Sequence, residues 1–401
     1  MSLGTSSGPA RLRRAASLLL AAVFPLLLSG CTRKRFPQYP PDYREFAWVT
    51  NGGDNTVTVI DLVNMQEAGT IQVGADPTAI AVNPKHREVY VANTGSGTIS
   101  VISAVKNKVE ATIPVHRGPS AIAVDDAGLR AYVANALSNN VSVIDLKDRR
   151  VVGTVGVGEG PDWVRIAPNG DSLVVANARA GSVSIVDPHS LKVRSVFSGC
   201  PDASDPVILP DSSKTFVACT GGHQVMVVSL ARPKSVIPEN HTDHLLAFLD
   251  VGPKPAHLAL KPDGGEIFVQ NSGSDTISEI ATTNNEVGGT YTIGEHPDGG
   301  LVSADNSTLW VSNADAGTVA AYSIDYGQLL NTVQVGSGPG PLAFSDGGFL
   351  VLALDRQSGD VSVIRTISYT PKGDPITGSL FTVFATGKHP NALAVKGFSL
   401  L

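Results

Sequence analysis

Apolar and polar positions alternate along most of this chain with a period of two. The stretch VANTGSGTISVIS, Val91 to Ser103, ends a short apolar run in Val-Ala-Asn and crosses a small polar loop. It then resumes with β-branched residues at every second place. That pattern predicts two strands joined by a tight loop. Near-copies stand at Val49 (VTNGGDNTVTVID) and Val175 (VANARAGSVSIVD). Aligned on the Asn, the column reads Asn51, Asn93, Asn135, Asn177, Cys219, Asn271, Asn313 and Asp355. Successive steps are 42, 42, 42, 42, 52, 42 and 42 residues, and six places after each member comes Val or Ile. The ten extra residues of the long step fall most simply within Ala231 to His244.

A Pro followed by a short apolar strand introduces the hairpins, as in DPTAIAV at Asp76, GPSAIAV at Gly118 and HPNALAV at His389. Pro206 matches this marker in the fourth copy. After each hairpin comes a third run, such as GTIQV at Gly69 or ATIPV at Ala111. Each unit therefore predicts four short strands: A after the Pro, B ending in Asn, C resembling TVSVID, and D. Between A and B, turns such as APNGDS and KPDGGE supply the Pro, Asn, Asp and Gly that tight turns require. Four antiparallel strands in about 42 residues is the arithmetic of a propeller blade. The repeats begin on a B strand (FAWVTN, Phe46) and finish just after an A strand (NALAV, Asn391). The last A strand can complete the sheet of the first B, C and D strands, which closes a ring and removes both open edges. The expectation is an all-β, eight-bladed β-propeller, with seven blades and one displaced unit as the alternative.

Composition agrees. Charged residues are 16% of the chain, Gly is abundant, and helix formers never gather into an amphipathic run. Nothing in the net charge of −6 favours nucleic acid, and no nucleic-acid partner is expected. The Val-Ala-Asn column, the TVSVID strand and the Gly-x-x-Pro lead-in resemble the YVTN-type β-propeller repeat of YncE-like proteins, over about Phe46 to Val395. That resemblance implies a propeller whose usual blade number is seven, so eight is a departure. Its relatives include secreted binding proteins and lactonase-like propellers. Blade count and compartment are also similar to haem-d1 propellers.

The N-terminus adds a compartment. Arg11 to Arg14 reads RLRR, an uncharged apolar run follows from Ala15 to Leu28, and LSGC ends it at Cys31. This is a secretory signal too short to span a bilayer. Leu-Ser-Gly-Cys resembles the bacterial lipobox, which implies cleavage before Cys31 and diacylglycerol on its thiol. Thr32 follows where an Asp would imply inner-membrane retention, so the periplasmic face of the outer membrane is the expected address. Loss of three Arg and no acid with the signal leaves a mature net charge of −9. The expected organisation is a signal over 1–30, a lipidated Cys and Pro-rich tether over 31–45, and one propeller over 46–401.

Candidate chemistry lies where the copies differ. On the face where A and C strands begin, here the top, fall His116, His257, His296 and His389. His296 and His389 each precede a marker Pro, and Asp162 and Asp298 each follow one. Imidazoles and carboxylates around one axis could hold a metal or a haem iron, if they converge. The sequence itself requires no cofactor. There is no H-E-x-x-H, Gly-x-Ser-x-Gly, phosphate loop, Cys-x-x-Cys or haem-attachment motif. Cys200 lies in the crossover into the fourth A strand, and Cys219 ends the adjacent B strand. Both ends face the top and an exported chain is oxidised, which predicts a Cys200–Cys219 disulfide. The expected function is a rigid, monomeric envelope scaffold that binds a protein, glycan or small molecule on its top face. The alternative is a hydrolase or haem-d1-type protein using the top-face His.

Overall fold

A computed structural model describes residues 39–400, except 233, 234, 236 and 371. The signal, Cys31 and most of the tether lie outside the described residues. From Asp42 onward the chain forms eight four-stranded antiparallel sheets. Blade 1 combines β1 (Tyr43–Asn51), β2 (Thr56–Asp61) and β3 (Gln66–Gln72) with the last strand, β32 (Pro390–Ser399). Blades 2 to 8 take β4 to β31 in consecutive fours. The ring closes as expected: β32 pairs with β1 from Tyr43↔Ser399 to Asn51↔Pro390. Strand β1 starts at Tyr43, inside the segment read as tether, and Glu45 within it is fully buried. Eight separate sheets exclude the seven-bladed alternative. Among the described residues no helix is long and apolar enough to cross a membrane.

The burial pattern explains the sequence pattern. B and C strands are nearly continuously buried because both of their faces meet neighbouring blades. Trp48, Val57 and Val59 of blade 1 pack on Val89, Val91 and Ile102 of blade 2, and such clusters recur around the ring. Each fully buried Val or Ile contributes roughly 1.5–3 kcal/mol. D strands are outermost and alternate between exposed and covered positions.

The Asn column is a structural clamp. Asn51 Nδ2 donates to the hydroxyls of Thr56 (3.0 Å) and Thr58 (2.9 Å), and Asn93 to Thr98 and Ser100. Asn177 and Asn271 repeat this with Ser182 and Ser184, and with Thr276 and Ser278. One buried amide thus ties the end of strand B to the first turn of strand C. Blade 5 replaces the clamp. Cys219 takes the Asn position, Met226 takes the place of the second hydroxyl, and Cys219 is disulfide-bonded to Cys200 as expected. Ala203, not Pro206, pairs with Cys219 where other blades pair Pro with Asn. Pro206 is instead part of a bulge further along the strand.

The insertion after blade 5's C strand forms a single 3-10 turn, Pro238–His241, on the bottom face. Its Asp243 is buried and takes a bidentate hydrogen bond from Arg194 of β15 (Lys192–Ser198) in blade 4, with both contacts at 2.7 Å. The Ser195 hydroxyl and the Ala231 N–H donate to the same carboxylate. The insertion therefore staples two blades together. A second irregularity had a quieter trace. Pro339 and Pro390 are 51 residues apart, against 42 in the regular copies, and the surplus lengthens β30 (Asp360–Tyr369) and β31 (Pro375–Ala385).

Candidate functional site

The A strands line the central channel, and those of blades 1, 2 and 3 follow Pro-x-Ala-Ile/Leu-Ala-Val. Departures concentrate in neighbouring blades. Strand β12 (Pro161–Ile166) carries Trp163 and Arg165, and β16 (Ala203–Ile208) carries Asp205. Strand β20 (Pro255–Leu260) carries His257, and β24 (Pro297–Val302) carries Gly299 and Gly300. These substitutions meet in one polar arc that spans blades 4 to 7.

Asp205 is its centre. In most blades the A-strand bulge falls on the residue after the marker Pro, but in blade 5 it falls at Asp205 and Pro206. Asp205 adopts a left-handed φ of 38° there. The carboxylate is buried and receives the Leu258 N–H (2.8 Å) and His257 Nδ1 (2.7 Å). His257 Nε2 is 3.1 Å from the Gly300 carbonyl oxygen, so both ring nitrogens have acceptors. Two acceptors favour the doubly protonated imidazolium form. Burial by itself would lower the His257 pKa, yet the Asp205 charge and hydrogen bond, with the Gly300 oxygen, raise it above the ordinary value. Burial likewise opposes ionisation of Asp205, but His257, Arg165 and the Leu258 N–H outweigh it and hold the carboxyl below its usual range.

Arg165 Nη2 stands 3.7 Å from Asp205 Oδ1, and its guanidinium lies 5.1 Å from the Trp163 ring centroid. The Arg165 side chain is 41% exposed and that of His257 is 30% exposed, whereas Asp205 is enclosed. Glycine is required beside them. A Cβ on Gly300 would sit 2.5 Å from Gln270 Nε2, and one on Gly299 would sit 2.5 Å from the Gly340 oxygen. Gln270 is itself a buried departure, and its Oε1 has no hydrogen-bond partner.

The sequence candidates divide. His257 belongs to the arc. His116 turns toward the outer strand of blade 3, with Nε2 3.2 Å from the Thr154 hydroxyl. His296 and His389 share a register position, and that position has a backbone role. The residue before the marker has positive φ at Asp76, Gly118, Gly160, Asp202, Lys254, His296, Gly338 and His389. Its carbonyl accepts an N–H from the next B–C loop, such as Thr94 to Asp76, Ala314 to His296 and Gly52 to His389. His296 Nδ1 lies 3.5 Å from Asp315. Asp162 stands at the channel mouth, and surrounding protein that displaces water raises its pKa. Asp298 forms an ion pair with Arg356. The four imidazoles are thus dispersed over blades 1, 3, 6 and 7. Among the described residues no three His, Cys, Asp or Glu side chains are grouped to hold a metal ion. Sequence reasoning missed Arg165 and Asp205, although both interrupt an otherwise apolar A-strand pattern.

No protein-family model matches this chain, and no curated protein does either. Solved structures do match. Dihydro-heme d1 dehydrogenase NirN in complex with DHE superposes with a TM-score of 0.64 at 17% identity, covering 91% of this chain and 77% of that one. Apo AztD from Citrobacter koseri gives 0.62 at 13% identity, covering 88% and 98%. A putative 6-phosphogluconolactonase from Bacteroides uniformis ATCC 8492 gives 0.58 at 17% identity, covering 88% and 100%. At such identities the likeness establishes the β-propeller fold alone.

Proposed function

We propose that this chain is an exported, lipid-anchored propeller of the YVTN type that binds a small anionic ligand in its channel. The observation that carries the reading is the pair of cationic side chains, Arg165 and His257, exposed to the channel where the repeat places Ala. Asp205 is shared between them but buried, so the outward-facing charge is positive. A planar guanidinium braced on Trp163 suits a carboxylate or phosphate, which it can bind through two parallel hydrogen bonds. His257 favours binding over chemistry. Both ring nitrogens face protein acceptors, so neither points at the channel to ligate iron or accept a proton.

The test is calorimetric titration of the purified mature chain with a panel of small carboxylates and inorganic phosphate, alongside an absorption spectrum and elemental analysis. The expected result is a colourless protein that binds at least one of these anions, with binding weakened at least tenfold in Arg165→Ala. A haem-like absorption band or a stoichiometric metal that is lost in His257→Ala would overturn the reading in favour of a cofactor protein.

A further inference from the structure

Blade 8 ends in a two-stranded ribbon that no other blade has among the described residues. Elsewhere strand C is six residues long and turns at the bottom of the ring, but β30 runs for ten residues and β31 for eleven. Pairing continues through Ile367↔Thr377 and Ser368↔Ile376 to Tyr369↔Pro375. At about 3.3 Å per residue, four added residues carry the ribbon roughly 13 Å below its neighbours. A two-stranded ribbon with nothing against its faces is marginal in water. Here the Asn331 side chain of blade 7 donates to the Thr377 and Gly378 carbonyl oxygens at the ribbon's base (2.9 Å each), but Ile367 stays 61%, Tyr369 47% and Ile376 37% exposed. Phe349, on the adjoining bottom turn, and Tyr326, on the bottom turn of blade 7, are 49% and 79% exposed. Lys372 at the ribbon's tip is also exposed. The top loops differ: among the described residues only Leu137 is a large exposed apolar side chain there.

The point at which the chain joins the ring lies on the same face. The Asp42 carbonyl accepts the Leu400 N–H at the bottom of blade 1, the blade beside the ribbon. The Tyr43 hydroxyl donates to Asp346 in blade 8's own bottom turn. Cys31 precedes Asp42 by eleven positions. A chain spans at most about 3.6 Å per residue, so a lipid on Cys31 would tie this face to within roughly 40 Å of a bilayer. Exposed Ile beside Tyr and Lys is the composition that settles at the boundary between head groups and acyl chains.

We propose that the bottom of the ring faces the membrane and that the blade 8 ribbon inserts its apolar tip into the lipid interface. The ribbon acts as a second attachment that directs the channel's top mouth away from the bilayer. This inference rests on the lipid-anchor reading of Cys31 for the surface it meets.

The full mature chain is reconstituted into phosphatidylethanolamine–phosphatidylglycerol vesicles containing brominated lipid. Tyr369→Trp reports on the ribbon and Leu137→Trp on the top face, each read against the parent protein's own Trp signal. The expected result is that bromolipid quenches at least half of the added emission at 369 and leaves that at 137 unchanged. The Ile367→Asp/Ile376→Asp pair should abolish the difference without releasing the lipidated chain. A membrane-bound, lipidated chain whose Trp at 369 is unquenched overturns the proposal. So does a ribbon buried by self-association, seen as a dimer on sedimentation with no quenching. The anchor is scored separately, by the mass of the N-terminal peptide and by release of Cys31→Ser. If that peptide carries no lipid but the chain still sediments with vesicles and is quenched at 369, the anchor fails and the ribbon stands. An unlipidated chain that ignores vesicles overturns both.

Discussion

The Asp at the end of blade 8's B strand should be the least comfortable clamp in the ring, and replacing it with the repeat's own residue should stabilise the protein at neutral pH. In blades 1 to 4 and 6 an Asn amide supplies hydrogens to oxygens five and seven residues later. Once ionised, Asp355 has no hydrogen to give, and its fifth-residue partner is another acid, Asp360. Ser362 turns its hydroxyl to donate to Asp355 Oδ2 (2.7 Å), and the Gly336 N–H adds a contact at 3.2 Å. Asp355 Oδ1 and Asp360 Oδ1 are both buried without a hydrogen-bond partner. Burial, then the neighbouring Asp360, pushes the Asp355 carboxyl from 3.8 up to about 7.

The sign follows from linkage. The native state holds the proton to higher pH than the unfolded chain does. Stability from this group is therefore complete below pH 3.8 and is lost as pH rises through about 7. A shift of about three units at 1.36 kcal/mol each sets a ceiling of about 4 kcal/mol. Asp355→Asn keeps the shape, restores the missing N–H donors and removes the proton linkage. Melting curves at pH 4 and pH 8 provide the assay. The variant should match the parent at pH 4 and melt higher at pH 8, by on the order of 5 °C. Asp360→Asn should reproduce only part of the gain, because burial, the leading cause, remains. A parent that melts higher than Asp355→Asn at pH 8, or an identical pH slope in the two, would refute the reasoning.

Other expectations follow from the same contacts. Asp205→Asn should bring the His257 titration down toward its ordinary value, read from its imidazole proton resonances. A structural role for Asp205 alone would leave that titration unmoved. Replacing Cys200 and Cys219 together with Ser should cost roughly 3 kcal/mol, seen as a lower urea midpoint that matches the reduced parent. Asp243→Ala should strand the partly buried Arg194 guanidinium and cost about 3–5 kcal/mol, whereas removing Arg194 as well should recover part of that loss in a double-mutant cycle.

Much of the fold was legible because each blade is a local object. Strands A to D of blades 2 to 8 follow one another in the chain, so a period of 42 counts them without any knowledge of their packing. Closure was legible from the phase of the repeat, which begins on B and ends on A. The disulfide was legible because Cys219 replaces a clamp residue on a strand that must pair beside Cys200. The site was less so. His296 and His389 share a register, yet that register serves a left-handed backbone turn whose carbonyl bonds the next loop. Arg165, Asp205 and His257 lie in three different blades, and no spacing in the chain sets the distance between blades.

The sequence by itself determined the blade, the blade number and the way the ring closes, since these depend on hydrogen bonds between neighbouring segments and on apolar alternation. Tertiary structure decided which departures from the repeat meet. A displaced bulge turns Asp205 onto His257, and Gly300, whose Cβ would meet Gln270 of blade 6, lets blade 7 bring its carbonyl oxygen to the second imidazole nitrogen. It also decided which charges persist. Asp205 is ionised and Asp355 holds its proton to near-neutral pH, because one buried carboxylate faces donors and the other faces a second acceptor.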